Sequence, residues 1–529
     1  MMALVAVLVI ASLTRIKGEC TLSACDVFDA VVARKDPAHP DPTATGCATD
    51  VQWRQLDRRL RAIEQPVWTV SYGQSRWRQC GKGTCRCDPV RKSLTCWRSG
   101  LTALTADLVV PTDLLHIDLG TNKLRTLHKS TFKGMRSLTE LDMFDNRVEF
   151  LPPGIFESLC NLRILRLQRN YIEEIDSEAF RTTKNLFHVD LSNNFLYTLP
   201  EKLFANSSQL DTIDLSKNQL IYIPSGSFVG LAALQILDLS KNKIQRIENG
   251  TFHLKSLQIL KLSENRISNI SGNAFKSLVS LETLMLDHNK LHAVPKRLFS
   301  SLRSLVYLDL SSNNIKSLTG IEFENLEALR HLELKENDLS ELPDYIFSNC
   351  TKLEKIDLSK NNLRYLNVTT FEGLEHLASL LLSDNKLHGV HYKTFSTLKN
   401  LTTLYLDGNL FPSLPSRTLD FTPKLAVVRL SGNPWHCDCH TLYISAWVRL
   451  NEMKLWDYSP TCVSPWYMEG HFLKKLKFPE LCDGQWASMV NLSPRLPIQQ
   501  LLALNVTVNR KPQDSMEHNH DVTTVDPWH

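Results

Sequence analysis

The sequence predicts an α/β solenoid, a horseshoe-curved stack of short repeats with a parallel β-sheet on its concave side and disulfide-bonded caps at its ends. Three observations predict it. Fourteen asparagines recur from Asn122 through Asn146, Asn170, Asn194, Asn218 and Asn242 to Asn265, and on through Asn289, Asn313, Asn337, Asn361, Asn385 and Asn409 to Asn433, every step being 24 residues except the 23 from Asn242 to Asn265. Each closes one phrase, L-x-x-L-x-L-x-x-N-x-L, as in Leu114, Ile117, Leu119, Asn122 and Leu124. A phenylalanine recurs in the second half of each repeat, from Phe132, Phe156 and Phe180 to Phe395.

The elements follow in chain order. Residues 1–18 hold a short apolar run, Ala3 to Leu13, too short to span a membrane. They read as a signal peptide cleaved after Gly18. Residues 19–78 form an N-terminal extension whose Pro37, Pro40 and Pro42 mark a linker. Between Val51 and Glu64, Trp53, Leu56, Leu60 and Ile63 fall on one helical face, and Arg54, Arg58, Arg59 and Arg61 on the others. That pattern predicts an amphipathic helix docked on the N-cap; a basic partner-binding helix is the other reading. Cys20, Cys25 and Cys47 also lie here, and an odd count leaves one thiol for an intermolecular disulfide or for a free or capped state.

Residues 79–100 hold Cys80, Cys85, Cys87 and Cys96 and form a cap over the first turn of the stack. Residues 101–433 are the fourteen repeats. Paired apolar residues such as Ile117 and Leu119 have the period of a strand and point inward, so that their neighbours point outward. A repeat cannot bury its leucines alone, and stacking drives the fold. The asparagine amide bonds to backbone groups left open where the chain turns off the strand. The phenylalanines stack as a spine on the convex side, whose bulk puts the sheet on the inside of the curve, an inner face about 65 Å long. The residue missing between Phe252 and Leu257 predicts a local change of curvature with no break in the sheet. Cys160 and Cys350 read as buried small hydrophobes.

Residues 434–483, with Cys437, Cys439, Cys462 and Cys482, form the second cap. The tail, 484–529, is polar and has no run of 18 apolar residues and no hydrophobic anchor signal. The expectation is a chain with no membrane span and no signalling domain of its own. Zinc is the other reading of the C-x-C spacings, but histidine or cysteine partners at finger spacing are missing, so no metal is expected.

With repeat phrase and cysteine clusters together, residues 79 to 483 resemble the extracellular leucine-rich-repeat family with paired cysteine caps, which includes Slit, Toll ectodomains, chondroadherin and the acid-labile subunit. The resemblance implies pairing Cys80 with Cys87, Cys85 with Cys96, Cys437 with Cys462, and Cys439 with Cys482. It also implies a protein-binding role in signalling, as carrier, antagonist or co-receptor; a matrix or adhesion protein is the alternative. The apolar N-terminus, the thirteen cysteines and eight glycosylation sequons (Asn206, Asn249, Asn269, Asn349, Asn367, Asn400, Asn491 and Asn505) point to a secreted, extracellular glycoprotein.

There is no glycine-rich phosphate loop, no G-x-S-x-G and no H-E-x-x-H, so neither an enzyme nor a cofactor is expected. The net charge of +4 gives no sign of nucleic-acid binding. The ligand face is expected on outward strand positions. One outward position is acidic in eight repeats: Asp118, Asp142, Asp190, Asp214, Asp238, Asp309, Glu333 and Asp357. This stripe favours a basic protein ligand, although Asp there is also repeat consensus. Ile236, Ile259, Met285 and Tyr307, from consecutive repeats, form a candidate apolar row. Lys474, Lys475 and Lys477 offer glycan contact or a solvated cap surface. Oligomeric state is not readable.

Overall fold

The computed structural model describes residues 57–58, 60–72, 77–78, 80 and 84–482. The expected signal peptide and tail, Cys20, Cys25, Cys47, Trp53, Leu56, Asn491 and Asn505 lie outside the described residues. Two compact units are distinguished, one running to Ile315 and taking in Ile321–Leu329, the other formed by Lys316–Gly320 and the chain from Arg330 onward.

Each repeat contributes a three-residue strand with an inward apolar residue at its centre and, except at the buried Asp357, half-buried residues beside it. In the first unit the parallel strands run in chain order from Ser93–Thr95 through His116–Asp118, Glu140–Asp142, Ile164–Arg166, His188–Asp190, Thr212–Asp214, Ile236–Asp238, Ile259–Lys261 and Thr283–Met285 to Tyr307–Asp309. Arg86–Asp88 pairs antiparallel to the first of them. The second unit repeats the pattern from His331–Glu333 to Val427–Arg429. The short repeat leaves the sheet intact, since Ile236 faces Ile259 in register. The return legs are mostly turns, with short parallel pairings of Arg246–Ile247 with Asn269–Ile270 and of Tyr365–Leu366 with Gly389–Val390; among the described residues of the repeats there is no α-helix.

The asparagine ladder is the expected one. Asn218 Oδ1 accepts the Leu196 N–H at 3.0 Å, and its Nδ2 donates to the carbonyls of Leu191 and Leu215, both at 3.0 Å. One amide therefore ties its own turn to the preceding repeat. Leu191 and Leu215 are fully buried, so these carbonyls have no water to fall back on. The residue before each asparagine is left-handed, from Thr121 at φ 52° to Lys241 at 56° and Gly432 at 69°. Its identity varies, which is why the sequence pattern did not reveal it.

The phenylalanine spine forms on the side opposite the strands. Phe132, Phe156 and Phe180 stack with centroids 6.4 and 5.8 Å apart, and in the second unit Phe347, Phe371 and Phe395 stack at 6.2 and 6.5 Å. The four disulfides pair as the family resemblance implied: Cys80–Cys87, Cys85–Cys96, Cys437–Cys462 and Cys439–Cys482. In the second cap the helix Leu442–Leu450 buries seven of its nine residues. Its Tyr443 hydroxyl accepts the Leu419 N–H at 2.9 Å and donates to Asp420 at 2.8 Å, fastening the cap to the last return leg.

The N-terminal extension departs from expectation. A helical segment is present at residues 60–64, but Ile63 is 54% exposed while Ala62 is buried. The Arg58 guanidinium reaches Glu173 and Glu174 of the third repeat, not the N-cap. The firmest anchor is Trp68, 2% exposed, which packs edge-on against Phe132 at 5.9 Å and donates its indole N–H to the Thr131 carbonyl. The strand Thr69–Ser71 that follows pairs parallel with Val109–Pro111. Cys350 is buried, and burial pushes its thiol up to about 12, whereas Cys160 is exposed, against expectation, because its place in the return leg points outward.

Asn218→Ala should lower the unfolding free energy by about 1–3 kcal/mol, since it strands buried backbone groups; denaturant titration reads this, and an unmoved midpoint would contradict the ladder. Trp68→Ala should cost about 3–5 kcal/mol locally. Hydrogen exchange should then show amide protection lost at Thr69–Ser71 and kept from Glu140–Asp142 onward.

Candidate ligand-binding site

The outward residues of the first unit's strands form two rows. Strand pairing places His188, Thr212, Ile236, Ile259, Thr283 and Tyr307 in the first row. The second row holds Asp190, Asp214, Asp238, Lys261, Met285 and Asp309. The expected apolar row is therefore corrected. Ile236 and Ile259 are neighbours, Thr283 separates them from Tyr307, and Met285 belongs to the other row. All four are half-buried, because neighbouring strands only about 4.8 Å apart shade one another.

The carboxylates carry a local structural duty. Asp190 Oδ1 accepts the Ser192 N–H at 2.9 Å, and Asp214 accepts that of Ser216 at 2.8 Å. Asp238 and Asp309 take both the N–H and the hydroxyl of Ser240 and Ser311. Asp118, Asp142 and Asp357 make the same turn with Gly120, Phe144 and Ser359. One oxygen of each aspartate thus belongs to the fold, which explains its recurrence.

The second oxygen separates the repeats. Arg166 lies 3.6 Å from Asp142, Lys261 3.2 Å from Asp238, and, in the second unit, Lys355 lies 2.7 Å from Glu333. Tyr307 donates its hydroxyl to Asp309 at 3.2 Å. Asp190 and Asp214 are adjacent in register, and among the described residues neither has a cation within ion-pair distance, although Arg166 neighbours Asp190 across the sheet. Burial raises the Asp214 carboxyl above its usual range, partly offset by the bonds from Ser216, and the charges of Asp238 and Asp190 add to the rise. First-unit carboxylates with neither an ion-pair cation nor a tyrosine hydroxyl among the described residues thus remain at Asp118 and at the adjacent pair Asp190 and Asp214, with the half-buried Ile236 and Ile259 on the next two strands. In the second unit, Leu381 and Tyr405 interrupt the acidic row, and the Arg429 guanidinium lies over the Tyr405 ring at 4.1 Å.

Sequence reasoning passed over His188, which opens the strand ending in Asp190. Burial lowers its imidazole below the ordinary value; the Asp190 charge opposes that, Arg166 reinforces it, and Asp214 and Asp211 oppose it again. Among the described residues no group of three His, Cys, Asp or Glu could hold a metal.

The chain belongs to the leucine rich repeat family, whose pattern it matches in overlapping stretches at 92–148, 145–196, 184–244, 233–291, 280–339, 330–387 and 375–434. It is 37% identical over 49 residues to carboxypeptidase N subunit 2 of Mus musculus, a match covering 9% of each chain. In fold it is similar to Toll of Drosophila, solved as the Toll–Spatzle complex, with a TM-score of 0.57 and 21% identity over 70% of this chain and 61% of that one. A leucine-rich-repeat protein of Leptospira interrogans gives a TM-score of 0.51 and 25% identity over 69% of this chain and 95% of that one. The chain thus spans less than two thirds of the length of carboxypeptidase N subunit 2 and of Toll.

Because its folded pKa is depressed, His188 favours its neutral form in the native state, and the unfolded chain takes up the proton first. Its contribution to stability is present above the ordinary value of 6.5 and is lost as pH falls below it. Proton NMR titration of the His188 ring should give a midpoint below 6.5; one at or above it would mean that the surrounding carboxylates outweigh burial.

Proposed function

We propose that the protein is a secreted glycoprotein that captures a protein ligand on the outward face of its repeat strands, acting as a carrier, antagonist or co-receptor in signalling rather than as an enzyme. The observation that carries this reading is the pair Asp190 and Asp214, two adjacent carboxylates that among the described residues have no cation within ion-pair distance, since Arg166, the register neighbour of Asp190, turns to Asp142; Ile236 lies on the next strand. A basic ligand segment with an apolar side chain fits such a surface: charge guides the encounter and the apolar contact supplies holding energy. Met285, Tyr307, Asp238 and Asp309 extend the same face. The complex of Toll with Spatzle is a precedent on the same fold for a protein ligand. Secretion is supported by the four cap disulfides, which suit an oxidising compartment. Asn206, Asn249, Asn269, Asn349 and Asn367 are exposed, as glycan attachment requires, and Asn400 is half-buried.

A matrix or adhesive role is the second reading. It is favoured by aromatic exposure on the second cap, where Trp456 is 67%, Tyr458 89% and Trp466 85% exposed. A carrier stays in the soluble medium, whereas a matrix protein resists salt extraction.

Capture from native extracellular fluid with tagged protein should recover a partner that Ile259→Ser/Tyr307→Ser loses by at least about tenfold, a change of roughly 1.4 kcal/mol, with secreted yield unchanged. Asp190→Asn/Asp214→Asn keeps a side-chain oxygen for each turn and removes only charge, so it should weaken capture of a basic partner at an unchanged unfolding midpoint. Equal recovery by all three proteins would move the site off the strand face.

A further inference from the structure

We propose that the return side of the first repeats carries a second binding site, one for a sulfated polysaccharide. A groove of about 1200 Å³ there is lined by Lys129, Lys133, Arg136, Arg181 and Lys184, against one carboxylate, Glu157. The repeat register builds it. Lys133, Glu157 and Arg181 each follow a spine phenylalanine directly, and Arg136, Cys160 and Lys184 each lie four residues after one. The spine rings beneath are 6.4 and 5.8 Å apart, so Lys133 and Arg136 on one repeat and Arg181 and Lys184 two repeats on stand in two rows, with Glu157 and Cys160 of the repeat between them. Two groups of cations with one repeat between them suit a polymer bearing anions at intervals better than a single small anion.

All five cationic residues are exposed. Arg181 has Glu178 at 3.6 Å, a solvent-screened pair, and among the described residues the other four face no carboxylate within ion-pair distance. Beneath them the backbone is fixed. Asn161 donates to the Arg136 carbonyl at 2.9 Å and Asn185 to that of Cys160 at 3.0 Å. The cations are therefore held at set spacings on a rigid floor while their long side chains adapt.

The rest of the lining selects the polymer. It has no aromatic side chain, so the stacking platform of a single-stranded nucleic-acid site is missing. Ser130 and Ser158 supply hydroxyl groups of the kind that meet sugar hydroxyls. Sulfate groups stay fully charged at neutral pH and pair with lysine and arginine forks. This site shares no residue with the strand face and stands or falls separately from it.

The test uses the full chain and heparin as probe. Lys133→Ala/Arg136→Ala/Lys184→Ala changes only exposed residues and should keep the wild-type unfolding midpoint. Its affinity for a heparin oligosaccharide should fall at least about tenfold, and the slope of log affinity against log salt should become shallower by roughly one per cation removed. Heparin should also slow alkylation of Cys160, which lines the groove, in wild type and not in the variant. Unchanged heparin affinity in the variant would overturn the proposal. So would loss of affinity in Lys474→Ala/Lys475→Ala/Lys477→Ala alone, which would place the site on the cap. Equal competition by hyaluronan or by single-stranded DNA would overturn the assignment to sulfated polysaccharide.

Discussion

A single buried amide sets the geometry of each repeat. Asn170 accepts the Val148 N–H at 3.0 Å and donates to the carbonyls of Met143 and Leu167 at 2.9 and 3.0 Å. These groups sit where the chain leaves the strand, out of reach of both the sheet ladder and water, so the amide is their partner. The left-handed residue just before it, Arg169, turns the chain so that its own N–H meets the Ser192 carbonyl of the next repeat. Strand spacing, register and the direction of every outward side chain are inherited from this turn. An arginine in the left-handed region costs free energy that glycine would not, and the bonds made around the amide offset it.

The same turn explains why an acidic stripe is a poor guide to function by itself. Each aspartate that closes a strand caps the backbone two residues on, so its recurrence follows from the fold. What distinguishes one repeat from another is the environment of the second oxygen. Arg166 and Lys261 neutralise the row on either side of Asp190 and Asp214, and the charge left over is local. Binding character on such a scaffold lies in departures from the repeat, as at Ile236 and Ile259, where the consensus places no demand.

The ends and the back of the stack follow the same logic of covered core and free surface. Trp68 continues the phenylalanine spine past Phe132, so the extension adds a layer of cover besides the disulfide cap. On the return side the leucines and phenylalanines face in, and the positions after each phenylalanine are left to vary. Two of three neighbouring repeats place cations there, and the one between places Glu157 and Cys160.

Periodicity alone was enough to determine the strands, the ladder, the spine and the inward leucines, because each is a local consequence of one phrase repeated at constant spacing. The cysteine clusters, read through the family they resemble, gave the four disulfides. Tertiary structure decided what depends on contacts between repeats. It separated Met285 from Ile236, Ile259 and Tyr307, since row membership depends on the register between strands. It exposed Cys160 and Ile63 and carried Arg58 to Glu173, across 115 residues of sequence that no local pattern spans. It also gathered Lys133, Arg136, Arg181 and Lys184, scattered along the chain, into one groove, because residues 24 apart become neighbours only once the repeats stack.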